Sequence, residues 1–458
     1  MTFPPGFEPF VKKAPACVLA KVCLERLFRP ERLDELFAEV AESQYVRTVL
    51  FSQVFELLMA VVLRVQPSVL AAFRERAATL SVSNQAVYDK LRRTELAVSC
   101  AVVEDSFRQI APVVEALGAK LPPWLPGFRT RVVDGNLLSK TEKRLKVHRG
   151  TWAAALPGRA LAVYDQETDL VCRVLLNADA HDNERVMIPA LLATVEKREL
   201  VLADRGFCTM ELMSTIAAKQ ARFVVRQHGS LKGRLLGTRV ACGRTDTGEV
   251  YQQKLEYEYG GRTRRVRRIT VVLDQPTSDG DVEIHLLTNL TAREARAGLV
   301  AELYRRRWTI EGRFLEMSQT MNGEPETLGY PPAALFAFCL ALLASNAAAL
   351  LRASVRAAHG AEATERLSKH YLAEEIRRTF PGMMIALPEP RWEFVRNANA
   401  AEFAALLQAL GARLDPKRYA KSVRGPKKPR PPKTTAYENG AHVSTARALK
   451  KTIKAPEP

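Results

Sequence analysis

The run Leu200-Val-Leu-Ala-Asp-Arg-Gly-Phe207 packs four apolar residues together and then stops at an aspartate and a glycine. So short an uninterrupted apolar run, bounded by turn residues, is the pattern of a strand covered on both faces, as in a parallel sheet. Upstream, residues 128–134 (Phe-Arg-Thr-Arg-Val-Val-Asp) form a second β-rich run that also ends on an aspartate. Residues 159–165 and 170–176 read as a hairpin around Gln166-Glu167-Thr168. Asp182 reads as the cap of a helix reaching 198, and a helix over 210–220 and a strand over 222–226 follow.

Three strands in a meander, then helix, strand, helix and strand, is the order of an RNase H-like α/β layer. Residues 230–290 depart from it, because the strand-like runs 249–259 and 262–273 flank Gly260-Gly261, a hairpin signal, with no helix between them. A β-strand insertion is expected there. Thr291 and Glu294 then form a capping box that opens a helix predicted to run to about 321, where Asn322-Gly323 stops it. Helical periodicity also fills 19–117 and continues to about 410, and the proline-rich stretch 121–127 breaks the first block. The predicted organisation is a helical DNA-binding region (1–125), an RNase H-like catalytic core (126–325) with its insertion at 230–290, a helical C-terminal region (326–412) and a basic tail without fixed structure (413–458). Residues 333–351 are apolar enough to span a bilayer, but Ser345 and Asn346 lie inside the run, and a buried core helix is expected.

Of the 458 residues, 47% are hydrophobic, so intrinsic disorder is excluded for most of the chain, and a net charge of +18 with a pI near 9.7 points to a polyanionic partner. Seven scattered cysteines without a CxxC pair argue against a disulfide framework and a zinc site, and no secretory leader is visible; a cytoplasmic protein is expected, associated with the nucleoid when DNA-bound. The charge is unevenly placed. Residues 411–458 hold 13 Lys and Arg against three acids, or +10 of the +18.

Asp134 and Asp204 both fall where apolar strands end. Two acids brought together in a partly dry place repel each other unless a cation neutralises them, and oxygen ligands suit Mg²⁺ or Mn²⁺. An Asp before or near Gly is also an ordinary turn residue. On the predicted helix 291–321, Tyr304, Arg307, Glu311 and Ser318 fall within about 60° of one another. Leu299, Leu303, Ile310, Phe314 and Met317 form the adjacent apolar face, which places Glu311 at the edge of burial. Arg307 and Glu311 could equally be a plain i,i+4 ion pair. Arg262, Arg264, Arg265, Arg267 and Arg268 put guanidinium groups on both faces of one strand, suiting either a hairpin laid along DNA or an edge strand guarded by charge. Ser83 is placed to cap a helix over 84–93 carrying Asn84, Gln85, Tyr88, Lys90, Arg92 and Arg93, which fits a recognition helix or simple bundle packing.

Taken together, Asp134, Asp204 followed by Arg205-Gly206-Phe207, and Tyr304-Arg-Arg-Arg-Trp-Thr-Ile-Glu311 closely resemble the DDE transposases of insertion sequences, the insertion-sequence-four type with a Tyr-Arg-Glu-Lys signature. The resemblance covers about 129–346, including the insertion and the later Ala344-Ser345-Asn346. Ser318 departs from it, standing where the signature has its lysine; Arg313 is a base that could substitute. The resemblance implies that Asp134, Asp204 and Glu311 hold two Mg²⁺ or Mn²⁺ ions for phosphoryl transfer on DNA, with Tyr304, Arg307 and Arg205 on backbone phosphate. Trp308 would be either a core residue or a platform for a flipped base. It also implies double-stranded DNA partners, namely element ends and a target, a homodimer when two ends are joined, and neither a membrane nor an organic cofactor. A structure-specific nuclease on the same core, or a DNA-binding protein derived from a transposase, are the rival readings.

Overall fold

The computed structural model of the chain describes residues 3–43, 49–78, 80–277, 279–308, 310–312, 314, 320–421 and 442–454. Its centre is one nine-stranded sheet built from β1 (Arg129–Leu137), β3 (Arg159–Asp165), β4 (Leu170–Asn177), β5 (Glu199–Ala203), β6 (Arg222–Arg226), β7 (Arg234–Thr245), β8 (Gly248–Tyr259), β9 (Arg262–Leu273) and β10 (Glu283–Thr288). Two further short strands, β2 (Ala154–Leu156) and β11 (His442–Ser444), pair with each other.

The sheet order is β4-β3-β1-β5-β6-β10-β9-β8-β7. β3 and β4 run antiparallel beside β1, while β1, β5 and β6 are mutually parallel. This is the RNase H-like layer expected from the order of elements. The insertion is not a separate lobe: β10 pairs with β6 and carries β9, β8 and β7 outward, so the same sheet nearly doubles in width. Gly260 and Gly261 make the β8–β9 turn with φ of 59° and 68°, left-handed values that glycine adopts at no steric penalty.

Alternation along β1 explains the two buried faces. Val132 packs with Tyr164, Leu202, Val300 and Leu303 on one side. Val133 packs with Leu161, Val201, Leu212 and Ile216 on the other, beneath the helix Met210–Ala218. The expected helix from Asp182 to 198 is shorter: Asn183 caps a 3₁₀ turn, Glu184–Met187, and the α-helix is Ile188–Ala193. Pro189 suits its first turn, and the chain then turns at residues 194–198 into β5.

The helical regions before and after the core are not two independent domains. The helix Pro331–Glu365 is long and apolar enough to cross a membrane, but 94% of its most apolar window is buried here. Phe336 lies 5.4 Å from Phe51 between ring centroids, and Phe7 lies 4.9 Å from Trp392. Asn346 accepts from the Val171 backbone N–H at 2.8 Å and donates to Ser106 Oγ and to Val171 O, both at 2.9 Å. One side chain thus ties the N-terminal helix Leu96–Ala116, the long helix and β4 together. The linker is also pinned, with Trp124 N–H donating to Gln166 Oε1 at 3.0 Å.

The tail expected to be unstructured over 413–458 contains ordered parts. Leu414 and Tyr419 are buried, and beyond residues 422–441 the chain returns as β11 and the helix Thr445–Lys454. Hydrogen bonding to β2 and an Arg447–Asp179 ion pair provide the anchorage that composition alone does not reveal.

Candidate active site

The parallel register of β1 and β5 sets Val133 opposite Ala203, so the next residues, Asp134 and Asp204, emerge side by side, one strand spacing of about 4.8 Å apart. By alternation both project toward the face covered by the helix Ala297–Arg306. That helix is shorter than the predicted 291–321. The Thr291–Glu294 box forms, with Thr291 N–H donating to Glu294 at 2.7 Å and Glu294 N–H to Thr291 Oγ1 at 3.2 Å, but it closes a turn before the helix rather than capping it. The helix ends at Arg306 and the chain turns at Arg307 and Trp308.

Tyr304 and Arg307 reach the acids from this end. Tyr304 Oη donates to Asp204 Oδ1 at 3.0 Å. Arg307 donates through Nη1 to Asp134 Oδ1 at 3.1 Å and through Nη2 to Glu311 Oε1 at 2.8 Å. Tyr304, Arg307 and Glu311 of the predicted stripe therefore converge on the two aspartates, and the i,i+4 pair exists as one arm of a three-residue bridge; Asp134 lies within β1, which continues to Leu137, rather than at its end as expected. Arg307 is only 4% exposed, and its Nε is buried without an acceptor among the described residues.

The electrostatics follow from this crowding. Burial pushes Asp134 up to about 7; Arg307 pulls it down, while Glu311, Asp204 and Glu184 push it further up. Burial and then the Asp204 charge raise the Tyr304 phenol, so it stays a donor. Burial works against the charge of Arg307, but Tyr304, Asp134, Asp204 and Glu311 outweigh it and hold its proton more tightly than in free arginine.

Glu184 was not singled out from sequence, since Asp182-Asn183-Glu184 looks like helix-cap chemistry. Its carboxylate lies against two glycines close after these acids, Gly135 next to Asp134 and Gly206 two residues beyond Asp204: a Cβ on Gly135 would come within 2.5 Å of Glu184 Oε1, and one on Gly206 within 3.4 Å of Oε2. Arg159 stands 3.7 Å away, and burial followed by the nearby Asp204 raises the Glu184 carboxyl. Two small residues, Gly135 on β1 and Gly206 in the 3₁₀ turn Arg205–Phe207 after β5, are what admit this fourth acid.

The donor set is chemically that of a hard divalent cation: carboxylate oxygens only, half buried, with Asp134 left short of compensating charge. Among the described residues no three acids, histidines or cysteines are gathered tightly enough to hold an ion, and Arg307 bridges Asp134 and Glu311. The residues fit a metal in kind; Arg307 holds its place.

Of the other expected DNA contacts, Arg205 is exposed beside Asp204, and Trp308 is 62% exposed, which removes the reading of it as a core residue. The five arginines of β9 do not act as a set. Arg267 is spent on Gln252 and on the carbonyls of Leu290 and Ala295, and Arg268 donates to Gln227 at 2.8 Å. Arg265 pairs with Glu256 at 2.8 Å. Following the register across the sheet, Arg262, Arg264 and Arg265 lie toward the end opposite the acids, on the order of 20 Å away. On the helix Asn84–Arg93, Ser83 caps as expected, accepting from Ala86 N at 3.1 Å, but Lys90 is buried with Nζ 3.8 Å over the Phe37 ring. Gln85 and Arg93 are its exposed polar residues. Arg313 and Ser318 lie outside the described residues.

A search of curated proteins finds no match to the chain. Residues 126–347, from the linker to the middle of the long helix, match the family model of the transposase DDE domain, so this segment of the chain is similar to the DDE domain of transposases.

Proposed function

We propose that this protein is a DDE transposase that binds the terminal inverted repeats of an insertion sequence and moves it by cut-and-paste transposition, cleaving strands and joining them to a target. The observation that carries the reading is the side-by-side emergence of Asp134 and Asp204 with Glu311 tied to them through Arg307. Asp134, Asp204 and Glu311 are the residues that would hold two Mg²⁺ or Mn²⁺ ions. Such ions activate the attacking water or 3′-hydroxyl and stabilise the leaving oxygen.

The chain's own groups have separable tasks in this scheme. Arg307 holds Asp134 and Glu311 together without DNA, and its bidentate fork suits a backbone phosphate once DNA enters. Tyr304 orients Asp204. Arg205 and the exposed Trp308 flank the acids, the first for phosphate and the second for an unstacked base. In this reading Tyr304, Arg307 and Glu311 would be the Tyr-Arg-Glu part of the signature. A homodimer that joins two element ends, working in the cytoplasm on the nucleoid, completes the reading.

The test is Mg²⁺-dependent cleavage of a duplex bearing the flanking inverted repeats, with random duplex as competitor. Asp134→Asn and Glu311→Gln should each lower the rate by at least about 100-fold, the scale on which losing transition-state charge stabilisation acts. Cleavage that survives both substitutions would refute the site; cleavage indifferent to the repeats would indicate a structure-specific nuclease instead.

A further inference from the structure

The loop after β1 and the returning C-terminal segment are distant in sequence but form one surface. Residues 138–153 carry Lys140, Lys143, Arg144, Lys146 and Arg149 against the single acid Glu142, and residues 442–454 carry Arg447, Lys450, Lys451 and Lys454 with no acid. Three contacts bring them together. β11 pairs in parallel with β2, aligning His442, Val443 and Ser444 with Ala154, Ala155 and Leu156. The helix Thr445–Lys454 packs on the turn Lys146–His148. Ser444 Oγ donates to Asp179 Oδ1 at 2.5 Å, and Arg447 bridges Asp179 and Asp182.

The loop is held in shape. Thr141 bridges to Ala155, Glu142 N–H donates to Glu326 O at 2.7 Å, and Ser139 N–H and Asn136 both donate to Glu324. On this frame Lys140, Lys146, Arg149 and Lys450 are exposed, and Trp152 is fully exposed at 101%. An indole left wholly in water on a basic rim has a ready partner in a nucleobase, which stacks on it irrespective of sequence.

The position is set by β1. Lys140 follows Asp134 by six residues, so the two lie at most about 20 Å apart. Each phosphate of a duplex strand advances about 3.4 Å along the axis, so Lys140, where this rim begins, lies within the span of about six phosphates from a scissile phosphate at Asp134.

We infer that this composite surface is a second DNA contact: the lysines and arginines grip the backbone running away from the acids, and Trp152 stacks on an exposed base of that strand. The inference rests on the transposase reading for the presence of DNA at Asp134, and it is tested separately from cleavage. Binding of a mixed-sequence duplex with a short single-stranded overhang is measured against salt with the full chain. K140Q/K146Q/R149Q/K450Q should lower the log–log salt slope by about 3 to 4, and single Lys146→Gln or Lys450→Gln by about 0.9, which covers the case of a poorly folding combination. Trp152→Ala should weaken overhang binding about fivefold or more while Trp152→Phe restores it, and bound DNA should shield Trp152 from acrylamide. An unchanged slope, or a Trp152 equally quenched with and without DNA, overturns the inference. If the wild type cleaves in that event, the transposase reading stands alone; if the slope falls but nothing cleaves, the surface stands and the catalytic reading fails.

Discussion

At the scale of single residues, the site is a problem of excess negative charge, and Asp134 carries most of it. Its carboxyl sits near 7 in the folded chain against about 3.9 in an unfolded one. The native state therefore keeps a proton that the unfolded state has already released, and stability falls as pH rises from about 4 through 7. Asp134→Asn removes that burden. Without divalent ions it should be about 1–3 kcal/mol more stable than wild type at pH 8, allowing for the lost contact with Arg307, and the gap should close by pH 4. Urea melts across that pH range decide it, and a variant less stable at pH 8 would disprove the assignment. Millimolar Mn²⁺ should raise the wild-type melting temperature and leave Asp134→Asn unmoved. Glu184 contributes from beyond the DDE set: Glu184→Gln should lower the pH at which the Asp134 effect is half complete. Gly135→Ala should do the same, because its Cβ displaces a flexible carboxylate end rather than backbone, with under about 1 kcal/mol lost in folding. A Gly135→Ala protein with an unshifted midpoint would show that Glu184 does not act on Asp134. The expectation for Asp134 and Asp204 came from apolar runs that meet acids, and that for Glu311 from helical spacing, although β1 in fact continues past Asp134 to Leu137; Glu184 gave no such signal, because only the fold brings Gly135 and Gly206 to it.

At the scale of elements, local chemistry predicted existence better than extent. The Thr291–Glu294 box forms its hydrogen bonds, yet the helix begins at Ala297, since a capping box also satisfies a free-standing turn. The break after Arg306 was invisible because helical periodicity in 304–311 continues through it. That break shapes the site, since Arg307 turns inward to Asp134 while Trp308 is exposed to solvent. The β9 arginines misled for the converse reason. Charge on both faces of a strand reads as exposure, but Arg267 lies between Gln252 and two carbonyls that need donors. The clearest element-level test is Asn346. Replacing it with Ala leaves the Val171 N–H and C=O and the Ser106 hydroxyl short of partners in a buried place, a loss of about 2–4 kcal/mol. Chemical denaturation reads it directly. A change under about 0.5 kcal/mol would mean that β4 and the long helix are held by apolar packing alone.

At the scale of the whole molecule, the basic surplus and the domain plan both change meaning. Residues 422–458 hold nine Lys and Arg against two acids, so +7 of the +18 sits on a segment whose end returns to the core beside the loop carrying Glu184. Four of those nine bases, Arg447, Lys450, Lys451 and Lys454, lie on the returning part. The helical regions on either side of the core pack with it and with each other: Phe51, Phe55 and Phe336 share one cluster with Val132, Leu202 and Val224 of the sheet, and Lys21 pairs with Glu389 at 2.8 Å. Sequence could not reveal this, because amphipathic helices announce that they have a buried face without naming what covers it. The consequence is that the catalytic segment is not a free-standing unit. Cut out as residues 126–330, the sheet would lose the long helix and the N-terminal helices that cover the Val132 face, exposing a patch well beyond what soluble monomers tolerate. That fragment should aggregate or bind hydrophobic dye, whereas the intact chain should melt in one cooperative transition. A chain nicked within 121–127 should remain one particle on gel filtration. A soluble 126–330 fragment with a cooperative melt and native near-UV circular dichroism would restore the three-domain plan and separate the DDE fold from the helices that enclose it.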